Sequence, residues 1–135
     1  MCGITGFYSK HSSVCESVCR HMVSKLIHRG PDSKGVWVDG HNGIALGHSR
    51  LAILDLSVAG HQPMESACKR FVLAFNGEIY NHLAIRKNLA REGNDFSWRG
   101  HSDTETLVAA ISVWGVKKTL PAGVWMLALA LLEWH

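Results

Sequence analysis

From Val124 the chain runs through Trp, Met, Leu, Ala, Leu, Ala, Leu and Leu to Glu133 before it meets a charge, and so apolar a run can fold in few ways. The wider stretch from Leu120 to Trp134 is broken by Pro121 and Gly123 and falls short of the ~20 residues a membrane-spanning helix needs. Val124 to Glu133 is therefore expected to be a strand buried on both faces. Such a strand needs cover above and below.

The rest of the chain can supply that cover. At 135 residues, with 19% charged and 47% apolar side chains, it is one domain in the globular rather than the disordered regime. The formal net charge of +3 is spread along the chain with no Lys/Arg block, so neither a nucleic-acid nor a membrane-surface partner is expected. Cys15, Cys19 and His21 imitate half of a zinc site, but no second half with matching spacing follows, and His61 and Cys68 stand isolated. Reduced thiols and no metal are the expectation. No charged segment followed by an apolar one lies near the start, so no secretory signal is read and a cytoplasmic setting is expected.

Local patterns place further elements. Cys2 to Tyr8 reads as a strand, with Gly3 and Gly6 permitting close approach. Ser13 and Glu16 form a capping-box pattern for a helix to about His28, with Val18, Met22 and Leu26 on one face. Val36 to Val38 and Ile44 to His48 suggest a hairpin around Asp39-Gly40 and Asn42-Gly43. Leu51 to Leu56 and Phe71 to Phe75 are further strand candidates. Asn81 can cap a helix to Glu92 that stops at Gly93, and Ser102 with Glu105 opens another to Trp114, burying Leu107, Val108, Ile111 and Trp114.

Several residues carry chemistry beyond packing. If Met1 is removed, Cys2 holds a thiol and a free α-amine on one residue; that amine has a pKa of about 8 and can take the thiol proton. A small buried hydrophobe is the bland alternative for a Cys. Arg50 presents a planar fork suited to a carboxylate, unless it is an ordinary surface arginine. Asn76-Gly77-Glu78 sets a side-chain amide beside an unhindered backbone N–H, either an oxyanion hole or a tight turn. Asp103 can accept from an ammonium, or simply complement a helix N-terminus. His28, Arg29 and Asp32 around Gly30-Pro31 form a charged cluster or a structural turn.

Their order and wording together say more. Met1-Cys2-Gly3-Ile4, His28-Arg29-Gly30-Pro31-Asp32, Gly47-His48-Ser49-Arg50-Leu51, Gly60-His61-Gln62-Pro63-Met64, Phe75-Asn76-Gly77-Glu78-Ile79-Tyr80-Asn81 and Ser102-Asp103-Thr104-Glu105 closely resemble the glutaminase domain of class II glutamine amidotransferases. Within that class they look most like the glutamine-hydrolysing asparagine synthetases, from residue 1 to about residue 130, so that residues 1–135 are expected to be one partial amidotransferase domain.

That resemblance implies an α+β fold, the N-terminal nucleophile hydrolase αββα sandwich of two antiparallel sheets. It implies that Cys2 attacks the side-chain amide of L-glutamine and forms a thioester, with the Asn76 side chain and Gly77 N–H stabilising the oxyanion. Arg50 would hold the α-carboxylate, Asp103 with Glu78 the α-ammonium, and Leu51, Ala52, Ile53 and Leu54 would line the pocket through backbone groups. The glutaminase step needs no cofactor; ATP and magnesium would belong to a synthetase domain or subunit that accepts the ammonia. The family also implies further strands after Val124 to Glu133, so the second sheet is expected to be incomplete here, and a Gly-Met-Phe-Ala stretch where this chain has Gly123-Val124-Trp125-Met126. Two alternatives stay open: a class II amidotransferase with a different acceptor, and a non-catalytic glutamine-binding remnant.

Overall fold

A computed structural model describes residues 1–10 and 16–133. Strands β1 (Gly3–Tyr8), β2 (Ser33–Asp39) and β3 (Ile44–Arg50) form one antiparallel sheet in the order β1-β3-β2. The β2–β3 hairpin expected from sequence is present with Trp37 opposite Leu46. Its turn is built by Asp39, whose Oδ1 accepts from the N–H groups of His41 and Asn42, and by Gly43 at a φ of 72°.

Helix α1 (Glu16–Ser24) packs on this sheet at Gly47, where an added Cβ would lie 2.4 Å from Val23 Cγ2 and 3.1 Å from Cys19 Sγ. The helix is shorter than expected and buries a different face. Cys19 and Val23 are enclosed while Val18 is half exposed, because the bare Gly47 invites that side. Ser13 and Cys15 lie outside the described residues.

The second sheet has the order β4-β5-β6, formed by Met64–Glu65, Phe71–Ile79 and Trp125–Glu133, all antiparallel. Helices α2 (His82–Arg91) and α3 (Asp103–Trp114) cover its outer face, and α3 leads into α4 (Val116–Ala122), a helix for which the sequence offered no pattern. Side chains of β5 alternate across the sheet. Phe71, Leu73, Phe75 and Ile79 enter the core with Ile85, Leu89, Leu107, Val108 and Ile111, while Val72 and Ala74 are buried on the opposite face, toward the first sheet. The layers run helix, sheet, sheet, helices: the expected αββα sandwich.

The helix ends follow capping chemistry, with two differences from expectation. Gly93, at a φ of 83°, closes α2 as a Schellman motif, its N–H donating to Ala90 O and that of Asn94 to Leu89 O. Asn81, however, spends its side chain on Ala122 O and Val124 N rather than on the start of α2. Ser102 caps α3 through Thr104 N, but Glu105 reaches back to the N–H groups of Arg99 and Gly100 instead of Ser102.

Three strand expectations need correction. Leu51 to Leu56 is a loop with Ile53 and Leu56 exposed; Arg50 ends β3, and the chain then curls around its guanidinium. Asn76-Gly77-Glu78 is not a turn but the last part of β5, paired with Ala128, Leu127 and Met126. β6 is only half covered: Trp125, Leu127, Leu129 and Leu131 pack on the helical core, whereas Met126 is exposed, and among the described residues no strand pairs with its outer edge.

Leu107 lies wholly inside the core of this layer. Leu107→Ala is expected to cost about 2–5 kcal/mol, read as a lowered urea midpoint at unchanged slope.

Candidate active site

Cys2 stands immediately before β1, whose pairing with β3 sets Gly3 opposite Ser49 and brings Cys2 to the end of β3. The thiol sulfur accepts from Leu51 N–H at 3.3 Å and lies 3.6 Å from Leu51 O.

The motif His28 to Asp32 braces this corner from behind. Gly30 packs so tightly on β3 that a Cβ would fall 2.4 Å from Ser49 O, Ser49 Oγ donates to Gly30 O at 2.6 Å, and Asp32 N–H donates to Arg50 O at 3.0 Å. Arg29 Nε donates to Cys2 O at 3.4 Å, and Asp32 Oδ2 accepts from Ala52 N–H at 2.8 Å. The cluster is thus a structural turn that also grips the main chain on both sides of the thiol.

Cys2 opens into a cleft of about 130 Å³ between the two sheets and the start of α3. Arg50, Leu51, Ile53, Leu54, Asn76, Gly77, Glu78 and Asp103 all line it. Ala52 does not; its N–H is committed to Asp32.

Arg50 is buried, and two of its nitrogens are fixed by the loop that follows: Nη1 donates to Ser57 O at 2.9 Å and Nη2 to Asp55 O. Gly60 packs flat on the guanidinium, where a Cβ would meet Nη2 at 2.1 Å. A guanidinium carries five N–H donors, so a pre-oriented cation with donors to spare faces the cleft. Beside it, Asp55 accepts from Ser57 N–H at 2.8 Å and His101 N–H at 2.9 Å. The Ser57 contact, with His101 and the nearby Arg50 charge, holds its carboxyl down to about 2.

Strand β5 supplies the donor edge. Just past β5, Tyr80 N–H bonds the O of Val124, the residue before β6, and in an antiparallel ladder N–H groups alternate sides, so those of Phe75, Gly77 and Ile79 point away from β6. Phe75 N–H is taken by Gln62 Oε1 at 2.6 Å and Ile79 N–H by Asp103 Oδ2 at 3.0 Å. Between them Gly77 N–H faces the cleft with no partner among the described residues. The side chain of Asn76 follows the parity of Val72 and Ala74, toward the sheet that carries Cys2.

Asp103 is buried at the first turn of α3 with one oxygen committed to β5, leaving the other to the cleft. His82 lies nearby; burial lowers its pKa, against the opposing pull of Asp103. Sequence reasoning gave no individual role to Gln62, Thr104 or Asp55, which also line the cleft, although Gln62 sat within a recognised motif. Among the described residues no group of three or more His, Cys, Asp or Glu is arranged to hold a metal, and no helix is long and apolar enough to cross a membrane.

The family model described as a glutamine amidotransferase domain matches residues 1–135. The glutamine-hydrolysing asparagine synthetase 1 of Bacillus subtilis is 37% identical over 113 residues, covering 81% of this chain and 17% of that protein. Amidase chry2 of Gibberella zeae is 33% identical over 127 residues, covering 86% and 18%. In fold, the chain is similar to the glutamine phosphoribosylpyrophosphate amidotransferase of B. subtilis, with a TM-score of 0.54 and 22% identity, covering 82% of this chain and 24% of that one. The chain spans about a fifth of the length of the curated relatives it matches.

One buried group ties the site to pH. His48 on β3 is fully enclosed, its Nε2 lies 2.9 Å from Phe75 O, and its Nδ1 has no partner. Because a carbonyl only accepts, Nε2 carries the proton and the neutral ring is the form that fits. Burial lowers its pKa from 6.5 to about 4, outweighing the hydrogen bond to Phe75. Between those values the unfolded chain binds more protons than the native one, so stability falls as pH drops from about 6.5 to about 4. This one group is expected to account for about 3 kcal/mol of that fall, and urea titrations of wild type and His48→Gln at a series of pH values should differ by it.

Proposed function

Because the chain belongs to the family of glutamine amidotransferase domains, we propose that it hydrolyses the side-chain amide of L-glutamine through a thioester on Cys2 and delivers ammonia to a synthetase domain or subunit for asparagine synthesis. The observation that carries this reading is one cleft lined by the Cys2 thiol, the buried Arg50 cation, the Asp103 carboxylate and the unpaired Gly77 N–H.

Each substrate group finds a complement. Arg50, oriented by Ser57 and Asp55 carbonyls, takes the α-carboxylate, and Asp103 with Glu78 takes the α-ammonium. With Met1 removed, the Cys2 amine accepts the thiol proton, directly or through one water, and sulfur attacks the amide carbon. The carbonyl oxygen becomes an oxyanion between the Asn76 amide and Gly77 N–H, worth about 3 kcal/mol per donor in acyl-transfer enzymes. The protonated amine then returns its proton to the departing nitrogen, the C–N bond breaks, and ammonia leaves. A water, deprotonated by the same amine, opens the thioester to glutamate and restores the thiol. Every proton is handled by the nucleophile's own residue, so the scheme uses no cofactor.

The acceptor rests on the synthetase relatives. A second reading, the same glutaminase step serving a different acceptor, is favoured by the amidase relatives of comparable identity, 33% and 35%. ATP and magnesium enter only with the synthetase part in the first reading.

In protein whose mass shows loss of Met1, Cys2→Ala is expected to abolish ammonia release from glutamine while thermal unfolding stays within a few degrees of wild type. Turnover by that variant, or glutamine binding without turnover by wild type in calorimetry, would refute the assignment. Arg50→Ala is expected to raise the glutamine KM at least tenfold with a smaller change in kcat, as loss of uniform binding does. Steady-state kinetics separate the two parameters.

A further inference from the structure

The motif Gly60 to Met64 has no part in the scheme above, yet it is among the most tightly held segments of the molecule. Gly60 lies against the Arg50 guanidinium. Gln62 O sits so close to β2 that a Cβ on Gly35 would be 1.8 Å from it, and Met64 begins β4 within the core. The Gln62 side chain is only 5% exposed, and each of its two polar atoms has a partner. Its Oε1 accepts from Phe75 N–H at 2.6 Å and its Nε2 donates to Thr104 Oγ1 at 3.2 Å. The amide orientation is dictated by chemistry, since a backbone N–H can only donate.

We propose that Gln62 is a positioning residue that sets the spacing between the donor edge of β5 and the start of α3, so that Gly77 N–H and Asp103 address the same substrate. Phe75 and Thr104, which Gln62 joins, flank the two groups: Phe75 is two residues before Gly77 on the same edge, and Thr104 follows Asp103. His48 meets the Phe75 carbonyl from the other sheet, so Gln62 and His48 hold the two peptide groups of that residue from two directions. Asp103 closes the ladder at Ile79, and Gly77 N–H is suspended between two satisfied neighbours. Donors aimed at developing charge act through preorganisation, and small misplacement of a reacting group lowers rate steeply.

This proposal rests on the glutaminase reading, and its test keeps the two apart. Gln62→Met preserves volume and removes both bonds. Gln62→Glu keeps an oxygen for Phe75 N–H, and Thr104 Oγ1 can turn to donate to the carboxylate. In ammonia release, the Met variant is expected to lose about 100-fold in kcat, within the range for misplacing an oxyanion donor, with KM changed less than threefold. The Glu variant is expected to keep kcat within about tenfold of wild type. Amide hydrogen exchange on the same proteins needs no turnover: Phe75 N–H should exchange at least tenfold faster in Gln62→Met, with Leu107 N–H in α3 unchanged. In folded Gln62→Met, a kcat equal to wild type, a loss carried wholly by KM, or unaltered Phe75 exchange would overturn the role, as would a Gln62→Glu variant that loses as much kcat as Gln62→Met. A wild-type chain that releases no ammonia would instead defeat the glutaminase reading, and Phe75 exchange would still decide whether Gln62 holds that peptide.

Discussion

Antiparallel alternation along β5 is the constraint on which the rest depends. The strand has a period of two in both its side chains and its N–H groups. Phe71, Leu73, Phe75 and Ile79 are thereby committed to the helical core, and the N–H groups of the odd positions turn away from β6, that of Phe71 to Ser66 Oγ and that of Gly77 toward the cleft. Burial of the core side chains therefore sets where the donors point. Slipping β5 by one residue against β6 would expose Phe75 and Leu73 and turn Gly77 N–H into the ladder at the same time. Glycine at position 77 also answers to β6, because a Cβ there would lie 2.3 Å from Met126 O.

The nucleophile is placed by close approach rather than by long side chains. At Gly30, Gly47 and Gly60 an added Cβ would lie 2.4 Å or less from neighbouring atoms, so the turn after α1, the helix itself and the 51–60 loop all close on β3. Arg50 and Cys2 inherit their positions from that packing, and the loop wraps the guanidinium with carbonyls before any substrate arrives. Preorganisation of this kind lowers the ordering cost of binding an anion.

β6 belongs to both the core and the site. Its odd residues pack with the helices, while Met126, opposite Glu78, lines the cleft. From Trp125 to Leu132 its outer edge carries none of the charges or prolines with which free edge strands resist pairing. An apolar segment without polar alternation suggested a strand covered on both sides; alternating half-burial is what three strands can provide.

Local chemistry read from the sequence alone decided the helix ends at Gly93 and Ser102, the β2–β3 hairpin, the strand character of the segments after Cys2 and Phe71, and the family to which the chain belongs. These depend on neighbours within a few residues, or on motif order, and both are written linearly. Tertiary structure alone decided that Leu51 to Leu56 is a loop, since its apolar residues look like a strand until Arg50 claims the carbonyls of Asp55 and Ser57. It also decided that Asn76-Gly77 continues β5, because pairing with β6, some 50 residues away, overrides a turn-forming dipeptide. Finally, it selected Gln62 and His48 from among many polar residues by enclosing them beside Phe75. A side chain's burial and bonding partners are properties of distant segments meeting, and no local pattern encodes that meeting.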